Sequence, residues 1–135
     1  MSLLVDTCVW SLALRRDAPP GVPEVRALQA ALAGSEIVAT TGMILQELLQ
    51  GVVPEQARTQ IVETFAALEY LTPSREDHVA AAGVHNTLRS AGVQVGTIGA
   101  LIAHLAIAGG HTLLTTDNDF RAASSYVSLQ LWRAP

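Results

Sequence analysis

The chain has 135 residues, half of them apolar and 15% charged, with a mean hydropathy of +0.34; this excludes a disordered chain and predicts one domain, residues 1–135, with a buried core. Formal net charge is −4, carried against eight arginines and no lysine, which argues against nucleic-acid binding through a broad basic surface but leaves a local arginine edge able to hold phosphate. The longest nearly uncharged apolar stretch, 98–110, is too short to span a bilayer, no basic segment precedes an apolar run at the N-terminus, and the single Cys8 can form neither an internal disulfide nor a cysteine-only zinc site, so a soluble, cytoplasmic protein is expected.

Along the chain, short apolar runs alternate with helical periods. SLLVD (2–6) predicts a first strand stopped by Asp6, followed by a helix over 7–15 capped by Thr7 and broken by DAPPGVP (17–23). A second helix opens at Pro23 and closes at Gly34, the usual placement of those two residues. EIVAT (36–40) reads as a strand, 41–51 as a helix, and 54–70 as a longer helix with Ile61, Phe65 and Leu68 on one side. Over 74–92 a helix begins with Ser74 and Asp77 in capping-box spacing. The next helix is read with Thr97 as its N-cap and Ile98, Leu101, Ile102 and Leu105 on its buried face. HTLLTTD (111–117) is a strand ending in Asp117, NDFRAASS a helical turn, and YVSLQLW (126–132) a last strand. Strands and helices alternating in this way imply an α/β fold with a mostly parallel sheet covered on both faces, whose ligands bind beyond the carboxyl ends of the strands.

Asp6 and Asp117 stand at two such ends. Either alone is explained as a helix cap or a turn residue; a third acid makes the pair more telling. In TGMILQELLQG the apolar positions nearly encircle the helix, so Glu47 lies beside core residues, where a carboxylate is costly unless it is salt-bridged or binds a metal. Asp119, two residues past Asp117, either supports a shared cation or caps the next helix. Thr7, Thr115 and Thr116 flank the strand-end acids and are placed to hydrogen-bond a carboxylate or a metal-bound water. A carboxylate set without a histidine cluster suits magnesium or manganese rather than zinc. One position breaks the pattern: Gly99, in the first turn of the helix GTIGALIAHL, where the macrodipole favours an acid and glycine weakens the helix by up to ~1 kcal/mol.

LLVDTCVW, ILQELLQG and GTIGALIAHLAIAGGHTLLTTDNDF resemble the three sequence blocks of the PIN domain, in order and spacing, and in particular those of VapC-type toxins of toxin–antitoxin pairs. The resemblance implies a three-layer α/β/α fold and Mg²⁺- or Mn²⁺-dependent endoribonuclease activity. It assigns catalysis and metal binding to Asp6, Glu47 and Asp117, with Thr7 as the adjacent hydroxyl, while Asp119 stays a weaker metal ligand read from its spacing to Asp117. The family's remaining acid falls at Gly99, so the resemblance marks this position as a lost metal ligand and this chain as attenuated or inactive. It also implies an RNA substrate, a VapB-type antitoxin and a homodimer. Arg15, Arg16 and Arg121, near the acidic blocks, are candidates for RNA phosphates or ordinary surface charges. The rival reading is a silent PIN fold that acts only by binding protein. A phospho-acceptor domain is disfavoured by the absence of lysine, a dehalogenase-type phosphatase by Cys8 where a second aspartate is needed, and a serine hydrolase or dinucleotide-binding domain by missing motifs. The histidine spacings (78/85 and 104/111) are not those of H-E-x-x-H, and Cys8, beside an acid, reads as packing.

Overall fold

Leu3, Leu4 and Val5 are buried in succession, as are Val38, Ala39, Thr40 and Thr41. Such runs leave neither face polar, so both faces of the sheet they form must be covered. The computed structural model describes residues 1–15, 21–51 and 54–135. Within these, β1 (Ser2–Val5), β2 (Ile37–Thr41), β3 (Glu69–Leu71) and β4 (Thr112–Leu114) form a parallel sheet of order β3-β2-β1-β4. Leu4 pairs with Ala39 on one side and Leu113 on the other. The described helices are α1 (Thr7–Ala13), α2 (Pro23–Ala33), α3 (Gly42–Gln50), α4 (Glu55–Ala66), α5 (Arg75–Ser90), α6 (Gly96–Gly109) and α7 (Asn118–Ala123). α1 packs on α2 and α3, and α3 on α4, while α5 and α6 pack against each other; the architecture is the expected α/β sandwich. Among the described residues no helix is long and apolar enough to cross a membrane.

The chain starts in the middle of the sheet, builds outward through β2 to β3, then returns to place β4 on the other side of β1. The strand order therefore reverses between β1 and β4, which opens a crevice beyond their carboxyl ends. α6 makes the return crossing. It is apolar almost all round, with Ala100, Leu101, Ile102, Ala103, Leu105 and Ala106 buried, as a helix enclosed on most sides must be. Gly110 ends it in the left-handed conformation, φ 67°, where glycine carries no steric penalty.

Four local expectations need correction. The N-cap of α1 is Asp6, whose Oδ1 accepts the Thr7 N–H at 2.9 Å; the strand ends one residue sooner than the hydroxyl suggested. α6 begins at Gly96, with Val95 and not Thr97 at its N-cap and no side-chain cap bond. The positive φ of Gly96, 73°, turns the chain into the helix before Thr97 is reached. The expected helix over 54–70 stops at Ala66, and Glu69–Leu71 pairs with β2 through Ala39↔Glu69 and Thr41↔Leu71; sheet pairing prevails over the helical period there. Residues 126–132 form no full strand, only a Leu113↔Leu131 bridge. Tight turns explain this, since Tyr126 and Val127 donate to the Ala123 carbonyl and Leu129 to that of Val127, withdrawing those amides from a ladder. The breaker at 17–20 and Arg16 lie outside the described residues.

Candidate active site

The crevice between the ends of β1 and β4 is a cleft of about 360 Å³, lined by Asp6, Glu47, Val95, Gly96, Thr97, Ile98, Gly99, Ile102, Asp117 and Phe120. Each acid reaches it from a different element. Asp6 is pinned at the end of β1 by its own backbone N–H, which donates to the Leu114 carbonyl at 2.9 Å. Its Oδ2 accepts the Thr115 hydroxyl at 2.8 Å, and the Thr115 oxygen in turn accepts the Asp117 N–H at 3.0 Å. One buried hydroxyl thus ties the first strand-end acid to the backbone of the second. Asp117 caps α7, with Oδ1 accepting the Asp119 N–H at 2.9 Å.

Glu47 enters from α3, and its Oε1 accepts the Thr7 hydroxyl at 2.8 Å. The expectation that it sits among core residues is met only in part: Ile44 and Leu48 are buried, but Glu47 is half-exposed. It makes no ion pair among the described residues, nor do Asp6 and Asp117; the ion pair seen there joins His104 to Asp77. Three carboxylates face one cleft, and among the described residues no arginine lines it to neutralise them. That is the donor chemistry of a hard divalent cation, and in kind of donor the residues fit one. In arrangement they fall short, because among the described residues no three His, Cys, Asp or Glu side chains are grouped closely enough to hold one ion.

The opposite wall is the start of α6. Its unpaired amides bring partial positive charge to the acids, yet its first turn carries no acid. Position 99 is where one would project into the site. A Cβ built on Gly99 meets Val95 Cβ at 3.1 Å and Phe120 Cζ at 3.5 Å, both residues of the same cleft.

Cys8 was read as packing, and its surroundings say more. Its Sγ lies 3.4 Å from Asp6 Oδ2 and 3.5 Å from both Thr115 Oγ1 and the Thr116 N–H. Burial first, and the Asp6 charge second, push the thiol pKa above its ordinary value, so it acts as a weak neutral hydrogen-bonding group. Thr116 reaches the site at Cys8, through its backbone N–H and through a side-chain hydrogen bond. Asp119 is exposed in the first turn of α7 and does not line the cleft. Arg15 lies beyond the far end of α1 from Asp6, and Arg121 projects from α7 into a neighbouring depression that also holds Arg133 and Trp132. Those last two were missed from sequence; only their late position beside an apolar strand-like run hinted that they return to the sheet.

The PIN domain family matches residues 3–125, and the chain belongs to that family. Solved structures agree on the fold. VapBC2 from Rickettsia felis, bound to a DNA fragment from its promoter, is similar with a TM-score of 0.77 at 20% identity, covering 100% of both chains. VapBC-1 from nontypeable Haemophilus influenzae gives 0.70 at 20% identity, over 98% of this chain and 97% of that one. The sarcin-ricin loop cleaving toxin VapC20 from Mycobacterium tuberculosis gives 0.69 at 16% identity, over 95% and 98%. No curated protein sequence matches the chain.

Proposed function

We propose that this chain is a VapC-type endoribonuclease toxin whose catalytic centre has lost one metal ligand at position 99. The observation that carries the reading is the convergence of Asp6, Glu47 and Asp117, which make no ion pair among the described residues, on the cleft into which a side chain at Gly99 would project. The similarity to VapBC structures and to an RNA-cleaving toxin supports it. In this reading Asp6, Glu47 and Asp117 are the oxygen donors that would hold Mg²⁺ or Mn²⁺, although they do not stand close enough together to close around one ion, with Asp119 a more distant contributor. Such an ion would supply Lewis acidity toward a phosphodiester.

What the chain's own residues do is hold and orient. Thr115 fixes the Asp6 carboxylate toward the cleft, and Thr7 fixes that of Glu47. Phe120 and Ile102 are buried and make an apolar floor beneath the partly exposed acids. Gly99 removes one oxygen donor and one negative charge, so the chain as it stands binds divalent ions weakly and cuts RNA slowly or not at all. Its partners in this reading are RNA, a VapB-type antitoxin and a second copy of itself, in the cytoplasm, with 1–135 acting as one unit.

The test compares the chain with Gly99→Asp for Mg²⁺-dependent cleavage of total RNA and for growth arrest on induction. Cleavage and arrest by the aspartate form alone are expected. If neither folded form cuts RNA, the nuclease reading fails, and a PIN fold that works only by binding protein takes its place.

A further inference from the structure

On the other side of the segment 115–121 from the acidic cleft lies a second depression of about 320 Å³, lined by Pro23, Glu24, Thr115, Arg121, Leu131, Trp132, Arg133 and Ala134. The two hollows share a wall. Thr115, which holds Asp6, lines the second, while Asp117 and Phe120 line the first and Arg121 follows Phe120 directly in α7. Arg121 is four residues beyond Asp117, and helical side chains lean toward the N-terminus of their helix. Its guanidinium is thereby carried toward the Asp117 end of α7.

Arg121 and Arg133 make no ion pair among the described residues. Among the described residues lining this depression, two of the chain's eight fixed cations stand together, with Glu24 as the carboxylate facing them. In a molecule of net charge −4 this is a local excess of positive charge next to an acidic centre. Trp132, half-buried, lines the same depression. Its backbone N–H donates to the Leu113 carbonyl at 2.9 Å, and the Leu113↔Leu131 bridge fixes the preceding residue to the edge of β4. The backbone at Trp132 is thereby held against the sheet, with Arg133 exposed beside it.

We infer that the Arg121–Trp132–Arg133 depression is a subsite for the RNA strand next to the cleavage centre, the guanidinium groups taking a backbone phosphate and the indole face stacking on a base. Guanidinium is the side chain best matched to phosphate, and an aromatic face in a positively charged groove is the usual platform for single-stranded nucleic acid. A strand lying here crosses the 115–121 wall and brings its next phosphodiester to Asp6 and Asp117. The inference rests on the ribonuclease reading, and it predicts binding that does not need the missing ligand at 99.

This makes the Gly99 chain a convenient probe, because it should bind RNA without consuming it. The experiment titrates a fluorescein-labelled single-stranded RNA with the chain, with Arg121→Gln/Arg133→Gln, with Trp132→Leu, and with the distant control Arg89→Gln, in EDTA at several salt concentrations. Circular dichroism confirms that each variant is folded. The double arginine variant is expected to weaken binding at least tenfold and to lower the slope of log K against log salt by about 1.4, two contacts at ~0.7 each for a single strand. Trp132→Leu is expected to weaken binding about tenfold with the slope unchanged, and Arg89→Gln to leave both as they are. If the parent binds RNA and the arginine variant binds it equally well with the same slope, the subsite is wrong while the nuclease reading survives. If the parent does not bind RNA and Gly99→Asp does not cut it, both fall together. Equal RNA binding combined with lost capture of an acidic antitoxin segment would reassign the depression to protein.

Discussion

A methyl group at position 99 has a calculable effect. The Cβ it adds lies 3.1 Å from Val95 Cβ, 3.5 Å from Phe120 Cζ and 3.6 Å from Val95 Cγ2. Carbon atoms rest comfortably about 3.5–4.0 Å apart, so the Phe120 contact is ordinary and the Val95 contact is short by a few tenths of an ångström. Replacing glycine inside α6 by alanine gains about 0.8–1.0 kcal/mol of helix propensity. Overpacking costs typically ~1–3 kcal/mol, and the lower end applies because Val95 is half-buried at the rim and precedes the first helical residue. The two terms nearly cancel, so Gly99→Ala is expected to change stability by less than about 0.5 kcal/mol. Val95→Gly removes the obstructing Cβ at an N-cap position where glycine is well tolerated. In that background Gly99→Ala should recover its whole propensity gain, giving a coupling of about 1 kcal/mol in the double-mutant cycle. Urea denaturation of the four proteins measures it. Additivity within ~0.3 kcal/mol would show that Val95 does not crowd the position and would refute the reasoning. Every side chain carries the same Cβ, so Gly99→Asp should regain less Mg²⁺ affinity with Val95 present than in the Val95→Gly background.

Three other consequences are open to measurement. Thr115→Val deletes the donor to Asp6 Oδ2 and the acceptor of the Asp117 N–H; a loss of about 1–2 kcal/mol in stability is expected, with a larger fall in the cleavage restored by Gly99→Asp than stability alone explains. The raised Cys8 pKa leaves little thiolate at neutral pH, so alkylation by iodoacetamide should be slower than for a free thiol and should quicken in Asp6→Asn, where the charge contribution is gone. Asp77 is held down to about 2, first by the Ser74 N–H and then by the His104 hydrogen bond. Its folded pKa lies below the unfolded one, so its contribution is complete above pH ~4 and is lost as pH falls toward 2. Asp77→Asn should therefore flatten that part of the denaturation profile, and an unchanged acid slope would count against the assignment.

The fold class was legible because its signals are local and repeated. The capping box at Ser74 and Asp77 forms as spaced, with Ser74 N–H to Asp77 Oδ2 at 2.8 Å and Asp77 N–H to Ser74 Oγ at 3.2 Å. What escaped the sequence was set by partners distant along the chain. β3 looks like the end of a helix until β2 is laid beside it, and 126–132 looks like a strand until the turns at Ala123 consume its amides. In the site, the positions of the strand-end acids could be read from where apolar runs stop. The double role of the Thr115 hydroxyl could not, since it depends on β1 and β4 being neighbours. Thr97 misled because a hydroxyl before an apolar period is the usual start of a helix, whereas here a left-handed glycine makes the turn.

The placement of β1 between β2 and β4 also sets a timetable. Leu3 finds its partner in β2 at Val38 and its partner in β4 at Thr112, so one edge of the first strand stays open while nearly the whole remainder of the chain is made. At translation rates of about 5–20 residues per second, that wait is on the order of 5–20 s. Loop closure over such a span is also entropically unfavourable until the last contacts repay it. Asp6 is among the first residues to leave the ribosome and among the last to acquire its surroundings, because Leu114 and Thr115 hold it. A fragment lacking the final strand would keep Asp6 and Glu47, linked through Thr7, but would lose Asp117 and the Leu114 and Thr115 bonds that fix Asp6. The cleft is therefore a property of the finished molecule, formed in a single late closing step.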